Sequence, residues 1–192
     1  LEAEISLPDR RNSSLSKYQT ARFEEEKFMA FDAYLKLDGV EGESQKEGHT
    51  KEIELTSWSW GGSNSGSFAH GSGGGTGKYS TNDLACSAYL SKASPKLFQA
   101  CTKGTHIDKG ILAVRKTGGD AKPYDYLKIT LEHCLVASYS TGGGSGSDEM
   151  GLEQFSLNFS KITFEYFVQD ASKGTVSSTG AVSYDLAKAQ AA

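Results

Sequence analysis

From Phe31 onward, apolar and polar residues alternate with a period of two through most of the chain, the spacing of half-buried β-strands. In AFDAYLKLDGV, Phe31, Ala33, Leu35 and Leu37 share one face, and Asp32, Tyr34, Lys36 and Asp38 take the other. KEIELTSWSW places Ile53 and Leu55 in one phase and Trp58 and Trp60 in the opposite one. The slip near Thr56–Ser57 predicts a bulge, or a strand that changes the surface it covers. NDLACSAYLSKA and GILAVRK read as further strands. In YDYLKITLEHCLVASYS, Leu127, Ile129, Leu131 and Leu135 line one face. LEQFSLNFSKITFEYF carries Phe155, Leu157 and Phe159 in one phase and Ile162, Phe164 and Tyr166 in the other, so a second bulge is expected at Ser160–Lys161. Two bulges in one small β domain favour a closed, strongly curved sheet over a flat sandwich. Its core is expected at Trp58, Trp60, Phe155, Leu157 and Phe159.

One stretch, SPKLFQACTKGTH, has helix punctuation instead. Ser94 is placed to cap it, Pro95 occupies the first helical position and Gly104 ends it. Leu97, Phe98 and Cys101 form the expected apolar stripe, with Ala100 beside it. The predicted class is therefore mainly β: a small antiparallel barrel with one short flanking helix and a long extended loop. That loop is the glycine- and serine-rich arm from Gly61 to Gly77; Gly142–Ser147 is a second, shorter one. Loops beyond about 12–15 residues without structure of their own are usually functional or disordered.

Residues 1–28 lack the alternation and are charge-dense, with PDRR and RFEEEKF, so they read as an extension, a leader or a fused segment. The barrel domain is expected over 29–170 and a polar tail over 171–192. A length of 192 residues fits one such domain with a core that needs no staples. A formal net charge of -4 gives no nucleic-acid footprint. No apolar run approaches the roughly 20 residues of a membrane helix, and the first residues show no secretory h-region. The three cysteines, Cys86, Cys101 and Cys134, are odd in number and widely spaced, which suits reduced thiols better than a disulfide framework.

The search for reaction chemistry finds little. A Walker loop needs G-x-x-x-x-G-K-[ST], and here Ser72 stands at the first glycine position and Tyr79 at the hydroxyl position. No G-x-S-x-G elbow occurs. His49, His70, His106 and His133 show no metal-ligand spacing with each other or with the cysteines. No catalytic residue, metal or cofactor is expected. On the residues alone, three readings stand: a ring-forming structural protein, a monomeric carbohydrate- or ligand-binding barrel using an exposed Trp58 or Trp60, and a hydrolase with an unrecognised site.

MAFDAYLKLDGVEGES, the WSWG motif at Trp58–Gly61, KASPKLFQACTKGTHI, LAVRKTGG, YLKITLEHCLVASYSTGGGSG and LNFSKITFEY together resemble the haemolysin co-regulated proteins, or Hcp family, the tube subunits of bacterial type VI secretion. The resemblance runs from Met29 to Gln169 in the family's order. It implies a β-barrel with a flanking helix and a protruding loop, closing as homo-hexameric rings that stack into a tube. It further implies a sheath and a spike as partners, small effector proteins held in the lumen, and export from the cytoplasm through the type VI apparatus without a signal peptide. Neither nucleic acid binding nor membrane insertion is expected. On this reading Ser57 and Ser59, facing away from the indoles, line the lumen. Gly66, Ser67, Phe68, His70 and Lys78 of the arm contact an adjacent subunit or ring.

Overall fold

The computed structural model describes residues 31–65, 79–116, 122–144, 150–170 and 174–191. The residues 1–28 and the arm positions Gly66, Ser67, Phe68, His70 and Lys78 lie outside these. The described strands are β1 (Phe31–Leu37), β2 (Ile53–Ser59), β3 (Gly62–Asn64), β4 (Tyr79–Thr81), β5 (Leu84–Tyr89), β6 (His106–Lys116), β7 (Tyr124–Gly142), β8 (Leu152–Asn158), β9 (Lys161–Gln169), β10 (Val176–Asp185) and β11 (Gln190–Ala191). Helix α1 (Ser94–Lys103) is the single helix among the described residues.

Six strands close on themselves in the order β7-β6-β1-β2-β5-β8, with β8 returning to β7, and every pairing is antiparallel. Closure removes the sheet edges that would otherwise invite aggregation. β9, β10 and β11 continue outward from β7 as a tab. The long β7 makes this branching possible. Residues 127–132 pair with β9 and residues 135–142 with β8 along one edge, while β6 takes the other edge from Tyr124 to Leu135. The chain beyond Asp170 thus supplies a ten-residue strand that pairs with β9.

The alternating positions converge as the core. Ala33, Leu35, Leu37, Ile53, Leu112, Ile129 and Leu131 are buried inside the barrel, with Phe155, Leu157 and Phe159 from the next segment. Trp58 and Trp60 are half-buried and pack against this cluster. The expected face of β7 holds for Leu127, Ile129 and Leu131 but not for Leu135, which is only half-buried. His133, at φ 51°, resets the alternation, so Cys134 and Val136 turn inward instead. The slip at Ser160 is not a bulge within one strand. There β8 ends and β9 begins, and Ser160 bridges the break by donating its N–H and its hydroxyl to the Glu132 carbonyl, at 3.1 and 3.0 Å.

Helix α1 carries Pro95 in its first turn and ends at Gly104, whose φ of 61° lets its N–H reach the Ala100 carbonyl. Its cap is Ala93 rather than Ser94; the Ser94 hydroxyl accepts the Ser91 N–H at 2.9 Å. The helix buries Leu97 and Ala100. Phe98 departs from the expected stripe: it is exposed, with its ring 5.9 Å from that of Tyr139.

Residues 41–52 fold over the outer face of β1. Gly42 is required there, because a Cβ would overlap the Glu52 carbonyl. Tyr34, expected on the polar face, is buried because the His49 ring stacks on it at 4.2 Å and 4°. His49 in turn lies 2.7 Å from Glu52 and 3.0 Å from Asp125, and Asp125 accepts from Arg115 Nε at 2.9 Å.

Candidate functional site

The outer surface of β2, β5, β8 and the end of β7 forms a concavity of about 490 Å³. Its composition follows from strand register. One rung reads Ser59, Ala85, Ser156 and Ser138 across the four strands, and the next reads Ser57, Ser87, Gln154 and Ser140. Neither rung carries a charge or a large apolar side chain. Ser138 and Ser156 share a hydrogen bond of 2.7 Å between their hydroxyls. Directly behind the wall lie inward-facing Trp58, Cys86 and Phe155, so each strand presents a small polar side chain outward and a bulky one inward.

Curvature comes from two bulges. The β2–β5 register slips between Leu55 and Ser57, as the sequence phase predicts. A matching slip between Val136 and Ser138 occurs on β7. Each bulge directly precedes the serines of its strand and bends it, as an extra residue in one strand does.

The structure brings Ser57 and Ser59 into one surface, both exposed. It adds Ser87, Ser138, Ser140, Gln154 and Ser156, which sequence reading missed. Their signal is the small polar phase opposite each apolar phase, visible as Ser138 and Ser140 in ASYS. The base of the glycine arm is described: β3 and β4 pair as a short ladder, Gly62 to Thr81 through Asn64 to Tyr79. Trp60 donates its indole N–H to Thr81 Oγ1 at 3.0 Å and so ties the wall to this ladder. With both indoles packed on the core, neither stands free as a flat sugar-binding platform.

Behind the wall, one polar cluster is buried. Glu153 points inward from β8 and is fully buried; its Oε2 accepts the Tyr139 hydroxyl at 2.8 Å. Oε1 has no hydrogen-bond partner among the described residues. Burial, and then the hydrogen bond to Glu153, push the Tyr139 hydroxyl up to about 12, so it stays a donor. Among the described residues no group of three or more His, Cys, Asp or Glu side chains is arranged to hold a metal ion, and no helix is long and apolar enough to cross a membrane.

The thiols give a direct check on this packing. Burial pushes Cys86 up to about 12 and Cys134 up to about 11, while Cys101 on α1 is only half-buried. At pH 8 a thiol reagent is expected to modify Cys101 alone in the folded protein and all three cysteines in denaturant. Rapid native labelling of Cys86 would contradict the barrel interior described above. The Cys86 proton has a pH consequence too. Its folded value lies above the ordinary one of 9, so its contribution is whole below pH 9 and declines as pH rises toward 12. The slope is about 1.4 kcal/mol per pH unit for that one proton.

Comparison with known proteins agrees with this architecture. The family model described as type VI secretion system effector, Hcp, matches residues 34–166. Protein hcp1 of Pseudomonas aeruginosa is 43% identical over 143 residues, covering 74% of this chain and 87% of that protein. Among solved structures, a type six secretion system protein superposes with a TM-score of 0.79 at 29% identity, covering 85% of this chain and all of the other. Hcp1 from Salmonella typhimurium gives 0.67 at 34% identity, again over 85% of this chain and 100% of that one. The matched span takes in both serine rungs, both tryptophans and α1, and the chain belongs to the Hcp family of type VI secretion system proteins.

Proposed function

We propose that this chain is a structural, non-enzymatic tube subunit of the type VI machine: six copies close into a ring, rings stack, and the serine wall lines the lumen. The observation that carries the reading is the wall itself, two uncharged rungs on a concave face. A conduit has to let its contents slide. Small hydroxyls offer hydrogen bonds that water replaces at little cost, whereas a broad apolar patch would hold a passenger and a charged one would select it. Small effector proteins held in the ring therefore meet weak, reversible contacts at Ser57 and Ser59. The arm, anchored on the β3–β4 ladder, reaches a neighbouring subunit or ring. Sheath and spike proteins enclose and cap the stack, and export proceeds through the apparatus itself.

The rim supports stacking. Tyr89 and Leu152 pair across β5 and β8 one step beyond the serine rungs, and they are 44% and 42% exposed. An apolar rim beside a polar wall suits a contact between rings rather than with cargo.

The test is mass and accessibility together. Sedimentation of the full chain is expected to give about six times the chain mass of 20.6 kDa. In a Cys101→Ser background, Ser59→Cys is expected to react with a small maleimide in the ring. A maleimide on a polymer too large to enter the lumen is expected to reach it far more slowly, until the ring is dissociated. Equal labelling by both reagents in the intact ring would place Ser59 on the outside and refute the lumen assignment.

A further inference from the structure

A histidine is held between two acids on the outer face of β1, away from the serine wall. Strand register assembles its surroundings. One rung reads Asp125, Arg115 and Asp32 across β7, β6 and β1, and the next places Tyr34 beside Glu54 of β2. The loop of residues 41–52 crosses these rungs and lays His49 on them, 4% exposed and stacked flat on the Tyr34 ring. Nδ1 lies 2.7 Å from Glu52 Oε2, and Nε2 lies 3.0 Å from Asp125 Oδ1. Ionised carboxylates only accept, so both contacts are hydrogen bonds when the imidazole carries two protons. With one proton, a ring lone pair faces a carboxylate oxygen at one end or the other.

The titratable groups around the ring are Glu52 of its own loop, Asp125 of β7, Arg115 of β6, Asp32 and Tyr34 of β1 and Glu54 of β2. Burial, and then the Asp32 charge, push the Tyr34 hydroxyl up to about 12, so the tyrosine stays neutral. Arg115 keeps its charge throughout; its Nη1 donates to the Glu47 carbonyl at 2.8 Å and gives the loop a fixed tie to β6. The loop's other ion pair, Lys51 with Glu41, is more than half exposed on both sides and contributes little. Lys51 also sits at φ 64°, a left-handed backbone that a non-glycine residue rarely adopts, so the closed loop depends on its contacts to stay closed.

We propose that residues 41–52 form a pH-sensitive strap: doubly protonated His49 bridges Glu52 to Asp125 and clamps the loop to the barrel, and loss of one of its protons releases it. Asp125 is the more exposed partner, 29% against 14% for Glu52, so the proton exchanges with solvent on that side. Release reaches beyond the loop. Glu43 Oε1 accepts the Lys92 N–H at 3.1 Å and Glu41 lies 3.5 Å from Lys92 Nζ, so the strap also steadies the approach to α1. All these groups belong to one chain, and the strap therefore does not rest on the ring reading.

Hydrogen–deuterium exchange of the full chain at about pH 6 and about pH 8, with labelling times scaled to the intrinsic rates, reads the strap directly. Protection of residues 41–52 is expected to fall about tenfold between the two, the scale of one hydrogen bond to a charged group, while residues 127–132 of β7 hold theirs. The amide of Glu52→Gln can donate to the ring's lone pair, so a singly protonated His49 keeps both contacts; this variant is expected to stay protected at both pH values. His49→Phe keeps an aromatic ring over Tyr34 but cannot titrate, and is expected to be poorly protected at both. A merely structural role for His49 would leave the parent chain equally protected at the two pH values, and that result overturns the proposal. So does a pH step that persists unchanged in Glu52→Gln or in His49→Phe. Far-UV circular dichroism checks that each variant folds; should either fail to, the parent chain's own pH step decides.

Discussion

Phe155→Ala is expected to lower stability by about 4 kcal/mol, within the range for removing a buried aromatic ring. Phe155 is 2% exposed and stands on β8 between Cys86 of β5 and Tyr139 of β7. All three strands belong to the closed barrel, so neighbouring backbone cannot settle into the space the ring vacates. The void should persist, which places the cost toward the upper part of that range. Urea unfolding at fixed protein concentration measures it, with assembly held constant because any interface adds to apparent stability. Ser156→Ala is the control. One residue along the same strand and facing outward, it is expected to stay within about 0.5 kcal/mol. Equal costs at the two positions would mean that the inward and outward faces of β8 have been exchanged.

The second large effect concerns a hydrogen bond. Tyr139→Phe keeps the ring and its place beside Phe98 but removes the hydroxyl that Glu153 accepts from at 2.8 Å. A fully buried carboxyl group is then left without its partner, at a cost of about 3 kcal/mol. The double variant Tyr139→Phe with Glu153→Met should recover most of that loss, since replacing both partners by apolar groups of similar shape removes the unpaired buried polar group. Thermal or urea unfolding of the four proteins forms a double-mutant cycle. Additive costs would show that the two side chains act independently and that the bond contributes nothing.

How far the sequence shows this structure depends on how local each signal is. The period-two phases of β1, β2 and β8 survive because one face of each strand meets the core, and a one-residue slip would turn every side chain over. The Thr56 bulge was legible for the same reason, as a change of phase. The β7 irregularities at His133 and Ala137 were not. Leu135 continues the aliphatic phase of Leu127, Ile129 and Leu131 while its neighbour Val136 opens the opposite one, so the apolar pattern there reads equally well in either phase. Phe98 and Tyr34 failed in opposite directions. Phe98 matches a helical stripe yet is exposed; Tyr34 sits in a polar phase yet is buried because a distant histidine stacks on it. Ser57 and Ser59 were visible beside two tryptophans. Ser87, Ser138, Ser140 and Ser156 come together only through cross-strand register, which depends on pairing partners far away in sequence.

The 19 residues of β7 take part in the barrel, the serine wall and the tab as one uninterrupted backbone. Its stretch from Leu127 to Glu132 is hydrogen-bonded on both edges, so those amides should exchange with heavy water only when the subunit comes apart as a whole. A load borne by any one of these three regions is therefore shared with the other two through a single strand.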